Sequence, residues 1–169
     1  PYTELLPGFA GDVFASGPEG LAALTAAAGF GALACGLVLV FRGRARGLVN
    51  IMLGGAICGS VMLAAFAMTD TLTMGVAVLA VASFLMLACH VGAYSLIQNA
   101  TDAEMRGRVI SVNVSISIGG PALGALMIGW LAEAIGLQWA VVSSALLAFI
   151  VMVCLLPSVR RIAPEMEAE

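Results

Sequence analysis

Five stretches of 20 or more residues without a single charge, at 20–41, 48–68, 74–98, 109–132 and 137–156, decide what this chain can fold into. Each is long enough to cross a hydrocarbon core of roughly 30 Å as a helix rising about 1.5 Å per residue. A backbone in lipid must satisfy its own hydrogen bonds, so runs of this kind become spanning helices. The rest of the composition agrees: 62% of residues are hydrophobic and 10% are charged, too few to clothe a water-soluble domain of 169 residues. Residues 1–16 form a shorter apolar stretch interrupted by Glu4 and Pro7, read as the outer part of a sixth helix. The chain begins at Pro1 with no basic segment and cleavage site behind it, and the expectation is a fragment or truncated reading frame. The fold class expected is therefore all-α, a polytopic helical membrane protein, with spans at 1–16 (partial), 20–41, 48–68, 74–98, 109–132 and 137–156. Residues 160–169 should form a cytoplasmic tail, of which 164–169 should be disordered and acidic.

Charge fixes the orientation. Arg42, Arg44 and Arg46 lie in the first link between full spans, Arg106 and Arg108 in the third, and Arg160 and Arg161 in the tail. If the spans alternate, all of these share one side, while Asp12, Glu19, Asp70 and Glu133 fall on the other. The positive-inside rule makes the arginine side cytoplasmic and places the chain in the inner (plasma) membrane with its C-terminus inside. A net charge of -3 and a pI near 5.0 give no reason to expect nucleic-acid binding.

Polar residues inside a span are costly and face protein or a water-filled cavity, so their distribution marks the helices that line something. In the third full span Ser83, His90, Tyr94 and Gln98 fall within an arc of about 80° at 100° per residue, a polar stripe on one face. The fourth carries Ser111 and Ser115 on one face and Asn113, Ser117, Gly120 and Gly124 on another. The second has only Asn50 and Ser60 and is expected to face lipid. A serine in a helix also bonds back to the carbonyl four residues earlier, which needs no ligand. An interhelical hydrogen bond is the simpler account of His90.

Close helix packing is expected at Gly55 and Gly59, at Gly120 and Gly124, and along Ala28, Ala32 and Gly36, with a kink at Pro121. Thr101-Asp102-Ala103-Glu104 has the S/T-x-x-E pattern of a helix-capping box. The four cysteines sit in apolar runs without a CxxC pair and read as free thiols. Enzymatic motifs are missing: there is no G-x-S-x-G, no H-E-x-x-H and no Gly-rich loop ending in Lys-Ser or Lys-Thr. A single histidine excludes an intramembrane metalloprotease, and neither a metal nor a cofactor is expected.

The string Thr101-Asp102-Ala103-Glu104-Met105-Arg106-Gly107-Arg108-Val109-Ile110-Ser111, with Gly120-Pro121-Ala122-Leu123-Gly124 and Gly129-Trp130-Leu131-Ala132, resembles the link between the tenth and eleventh helices of major facilitator superfamily exporters. The branch is that of macrolide-efflux-like and siderophore exporters. Glu4-Leu5-Leu6-Pro7-Gly8-Phe9-Ala10 followed by Asp12-Val13-Phe14 is similar to the outer end of the seventh helix there, and Arg42-Gly43-Arg44 occupies the place of the eighth-to-ninth loop. That loop departs from the family's Asp-Arg-x-Gly-Arg pattern in having no acidic residue.

The resemblance implies the C-terminal six-helix half-bundle of a twelve-helix transporter, rocking against an N-terminal six-helix half of the same protein. It implies proton-coupled export of an amphiphilic small molecule, of drug or siderophore type. Arg42, Arg44, Asp102, Glu104, Arg106 and Arg108 become the cytoplasmic loops and gate, the seventh and tenth helices line the cavity, and the ninth and twelfth face lipid. The partners are then the bilayer, the other half and a small-molecule substrate. A non-transporting scaffold and a self-dimerising half-size transporter are the alternatives.

Glu4 is the candidate functional carboxylate. If Asp12 marks the outer end of its helix, Glu4 lies eight residues deeper, about 12 Å towards the bilayer centre. A carboxylate there is tolerated where it meets an aqueous cavity, takes up a proton or faces a cationic substrate.

Overall fold

The computed structural model describes residues 2–42, 47–102 and 104–166, with side chains through residue 161. Arg44, Arg46 and Ala103 lie outside the described residues. All regular structure among the described residues is helical: α1 (Tyr2–Gly8), a π-helical turn (Phe9–Val13), α2 (Gly17–Arg42), α3 (Leu48–Ala67), α4 (Leu72–Asn99), α5 (Arg106–Ile135) and α6 (Leu137–Met166). The helices from α2 to α6 are each long and apolar enough to cross a membrane. The protein is therefore an all-helical membrane bundle. α6 runs through Pro157 and Pro164 to Met166, so the stretch read from sequence as a disordered tail is helical up to that point.

The bundle is built around α4, which packs along α3 and α2, while α6 packs on the far side of α3 and α5 packs mainly on α6. Backbones approach most closely where glycine leaves room. A Cβ on Gly31 of α2 would sit 2.0 Å from the Ala80 carbonyl oxygen of α4. One on Gly55 of α3 would sit 2.6 Å from the Leu85 carbonyl oxygen and 2.8 Å from the Cys89 nitrogen. In lipid, where apolar side chains gain little by leaving one hydrocarbon for another, such contact through small residues is a main source of association.

The packing stripe of α2 is Gly20, Leu24, Ala27, Gly31 and Cys35, spaced three or four residues apart. It lies one position off the Ala28, Ala32, Gly36 series expected from sequence; a Cβ on Gly36 would meet nothing. Gly55 and Gly59 do pack against α4, whereas Gly120 of α5 has no neighbour within 4 Å of a would-be Cβ, so no packing contact is made there.

One end of the bundle is held by aromatic contact. The ring of Phe9, in the π turn, lies 4.8 Å from that of Phe66, and Phe14 stands 6.3 Å from both. Phe9 and Phe66 are fully buried with Leu6, Leu24 and Leu79. At the other end Leu48, Val49 and Leu53 of α3 and Leu96 of α4 form a second buried cluster, covered by Leu156 and Val159 of α6. The start of α3, the end of α4 and the end of α6 therefore share one end of the bundle.

Two expectations need correction. α3 was expected to face lipid because it is poor in polar groups, yet it is the most enclosed of the five spans. Nine of its residues are buried, and only a narrow stripe through Asn50, Cys58, Val61 and Ala65 is exposed. Low polarity says that a helix avoids water; it does not say whether protein or lipid covers it. The capping box also fails to form. The Thr101 hydroxyl donates to the Ile97 carbonyl at 2.5 Å, closing the end of α4, and α5 starts at Arg106, preceded by Met105, without a side-chain cap.

Candidate functional site

α5 is the exception in the bundle. It is the least apolar of the five spans and also the least covered by the rest of the chain. Ile128 is its one buried residue among those described, while Ile116, Ile118, Leu123, Leu126, Met127 and Trp130 are exposed. Polar groups within a span face protein or a water-filled cavity. The half-buried polar positions Asn113 and Ser117 lie in its first half, beside the exposed Gly119 and Gly120. α5 is continuous through Pro121, which has no N–H to give the Ser117 carbonyl.

Between α1 and α5 lies an open groove of about 830 Å³. Glu4 and Leu5 form one wall; Ile118, Pro121, Ala122 and Trp130 of α5 form much of the other, and Glu133 stands at its outer edge. Glu4 is exposed to this groove and not enclosed in protein. The five residues of the π turn wind more tightly along the axis than regular helix, so Glu4 lies shallower than the 12 Å reckoned from Asp12. A second recess, of about 530 Å³, continues outward past Gly8 and Asp12 and is again bordered by Glu133. Glu4, Asp12 and Glu133 thus line one continuous side of the protein.

A separate open recess of about 580 Å³ is lined by residues of all six helices, with His90 exposed at its edge. Its polar rim is Tyr2, Ser60, Ser83, His90 and Ser144, set in an otherwise apolar wall. The Tyr2 hydroxyl donates to the buried Ser83 hydroxyl at 3.3 Å, tying α1 to α4. Ser60 and Ser144 donate to carbonyls of their own helices, Ala56 at 2.7 Å and Val141 at 2.8 Å. Ser111 and Ser115 of α5 do the same, at 2.6 and 2.9 Å.

The stripe expected on α4 is therefore divided. Ser83 and His90 reach the cavity; Tyr94 and Gln98 lie one and two turns further on, half-buried and outside the rim. Tyr2, Ser60, Ser144 and Glu133 are the polar cavity and groove residues that sequence reasoning left out of the site. Tyr2 and Ser144 carry no signal in the chain, because a hydroxyl in an apolar helix has many uses. Glu133 was visible only as an outer charge, and its approach to the groove of Glu4 is a tertiary fact.

The described arginines Arg42, Arg106, Arg108, Arg160 and Arg161 gather at one end, with the start of α3, and Asp102 and Glu104 lie in the exposed link there. Arg106 donates to the Thr101 carbonyl at 3.3 Å, bracing that link. Asp12, Glu19, Asp70 and Glu133 lie at the opposite end. The described residues hold no cluster of metal ligands, and all four cysteines are free.

A helical membrane bundle with one comparatively polar and little-covered span is the context in which a family match becomes informative. Residues 5–168 match the model of the Major Facilitator Superfamily. The chain belongs to that superfamily. It is accordingly a membrane-embedded secondary transporter chain and not an enzyme. No curated protein and no solved structure matches it.

Proposed function

We propose that this chain is the C-terminal half of a proton-coupled exporter of an amphiphilic small molecule, with α1 to α6 serving as the seventh to twelfth helices. The observation that carries this reading is α5. A spanning helix with serine, asparagine and glycine in its first half, left uncovered by its own bundle, needs a second bundle beside it. Alternating access then follows from rocking of one bundle against the other, opening the groove between them to each side in turn.

Within that groove Glu4 supplies the carboxylate that takes up and releases the proton, and the apolar walls of Leu5, Ile118 and Trp130 receive the hydrophobic part of the substrate. Ser83 and His90, with Asn113 and Ser117, extend the polar path towards the arginine end, and Tyr94 and Gln98 continue it along α4. Arg42, Arg44, Asp102, Glu104, Arg106 and Arg108 act as the cytoplasmic gate on this reading, with the C-terminus inside.

The test is efflux by everted vesicles holding this chain together with the preceding half. Glu4→Gln should abolish export driven by a pH gradient while leaving membrane insertion and abundance unchanged. Undiminished gradient-driven export by the variant would remove Glu4 from the mechanism. The partner is tested separately with Leu123→Cys on the open face of α5: crosslinking to the other half supports the reading, and crosslinking only to a second copy of this chain replaces it with a half-size dimer.

A further inference from the structure

The recess beside His90 is separate from the groove of Glu4. α4 and α6 each pack on α3 and make little contact with one another, and the recess lies between them over Ser60 and Leu63 of α3. It shares no lining residue with the groove. Tyr2 of α1 and Ile128 of α5 border the recess, whereas Glu4 and Trp130, each two residues further on, border the groove. Two residues turn a helix by about 200°, so recess and groove lie on opposite faces of α1 and α5. No carboxylate or arginine among the described residues lines the recess. Its hydroxyl groups differ in how they are used. Ser60 and Ser144 spend their protons on carbonyls of their own helices. Ser83, only 2% exposed, does not; its side chain bonds with the Tyr2 hydroxyl alone. Two hydroxyls joined by one bond keep one proton over, whichever of them donates. A donor left unspent in apolar surroundings is costly, and both hydroxyls line the recess, where a ligand oxygen can accept it.

We propose that this recess binds a neutral, mainly apolar molecule through one carbonyl oxygen, which accepts the proton that Tyr2 and Ser83 leave over. Neutrality follows from the lining: an anion would enter without a cation to meet it, and a cation without a carboxylate. A ketone or ester oxygen offers lone pairs and brings no further donor that would need a partner. The remaining wall is Leu63, Leu87, Ile128 and the sulfur-bearing Met86 and Cys89, soft groups that adapt to the shape of a ring. A volume of about 580 Å³ falls within the roughly 300–1,000 Å³ of sites that enclose drug-sized molecules. Binding here needs neither a proton gradient nor Glu4, so it stands apart from the transport reading even though that reading also uses Ser83 and His90.

In the experiment the purified full chain in phosphatidylcholine vesicles is irradiated with benzophenone, a neutral ketone, and the labelled residues are mapped by mass spectrometry. The excited ketone oxygen takes a hydrogen from a nearby C–H and its carbon bonds to the carbon left behind, so the intact probe is added. Met86 reports the recess, and the exposed Met74 and Met127 report probe dissolved in lipid. At low probe concentration Met86 should carry severalfold more label than either. Dicyclohexyl ketone should suppress that excess, and dicyclohexylmethane, of the same shape without the oxygen, should not. Ser83→Ala should lower labelling of Met86 by up to about tenfold, the worth of one hydrogen bond, with Met74 unchanged. If that variant loses its native circular dichroism, Tyr2→Phe takes its place; it lets the Ser83 proton turn back to its own helix, and labelling of Met86 should fall likewise. No excess on Met86, equal competition by ketone and hydrocarbon, or full labelling in the hydroxyl variant that folds would overturn the proposal.

Discussion

Gly31→Ala should destabilise this bundle, although alanine is the better helix former by roughly 1 kcal/mol. The added Cβ would lie 2.0 Å from the Ala80 carbonyl oxygen, 2.9 Å from its carbonyl carbon and 3.2 Å from its Cα. All three are backbone atoms of α4, so no side chain can swing aside. Relief requires α2 and α4 to separate by about 1 Å, which also loosens the contacts of Leu24, Ala27 and Cys35 along the same stripe. A gap of about 0.5–1 Å already forfeits a quarter to a half of each dispersion well, and overpacking of this kind costs about 1–3 kcal/mol. Gly36→Ala provides the contrast. A Cβ there meets nothing, and the substitution should be neutral or slightly stabilising. Reversible unfolding of the purified chain in mixed micelles, with rising denaturing detergent and circular dichroism as the readout, measures both. Equal stabilities for the two variants would refute the packing register assigned to α2 and the close contact on which it rests.

Other outcomes follow from the same geometry. Phe66→Ala removes the ring that Phe9 stacks on, and its cost in the same titration should fall below the roughly 3–5 kcal/mol seen in water-soluble cores, because lipid also dissolves the exposed side chain; a loss at or above that range would contradict the reasoning. Tyr2→Phe deletes the 3.3 Å bond to Ser83 and should cost about 0.5–1 kcal/mol, with no change for Ser60→Ala beyond that of a bond within one helix. In intact cells a membrane-impermeant thiol reagent should label Asp70→Cys and not Arg42→Cys in a background lacking the native cysteines; the reverse pattern would invert the membrane orientation. Water-soluble thiol reagents should reach His90→Cys in the assembled transporter, and protection in every condition would reduce that position to packing.

The spans and the gathering of the described arginines at one end of the bundle were legible in the chain because both rest on properties that need no partner. A run of some 20 uncharged residues must close its own backbone hydrogen bonds in lipid, and arginine cannot follow it into the hydrocarbon. Partners, by contrast, were read less well. The α2 stripe was placed one residue away from the one that packs, since alanine and glycine recur on every face of that helix and spacing alone does not select a register. α3 was assigned to lipid on its low polarity, but a buried helix and a lipid-covered one have the same composition when hydrocarbon lies on both sides. Thr101 was paired with Glu104 by motif, whereas the end of α4 captured its hydroxyl first.

What the sequence determined by itself was therefore the solvent, the number of crossings and the end of the bundle that carries positive charge. Only the tertiary structure placed Glu4 and Glu133 along one groove, brought Tyr2 to Ser83, and left α5 uncovered beside them. The physical reason is separation along the chain. Those neighbours stand 81 residues or more apart, and nothing local to either side chain marks the other. They meet because glycines at Gly31 and Gly55 let α2 and α3 close upon α4, which fixes where every other helix can stand.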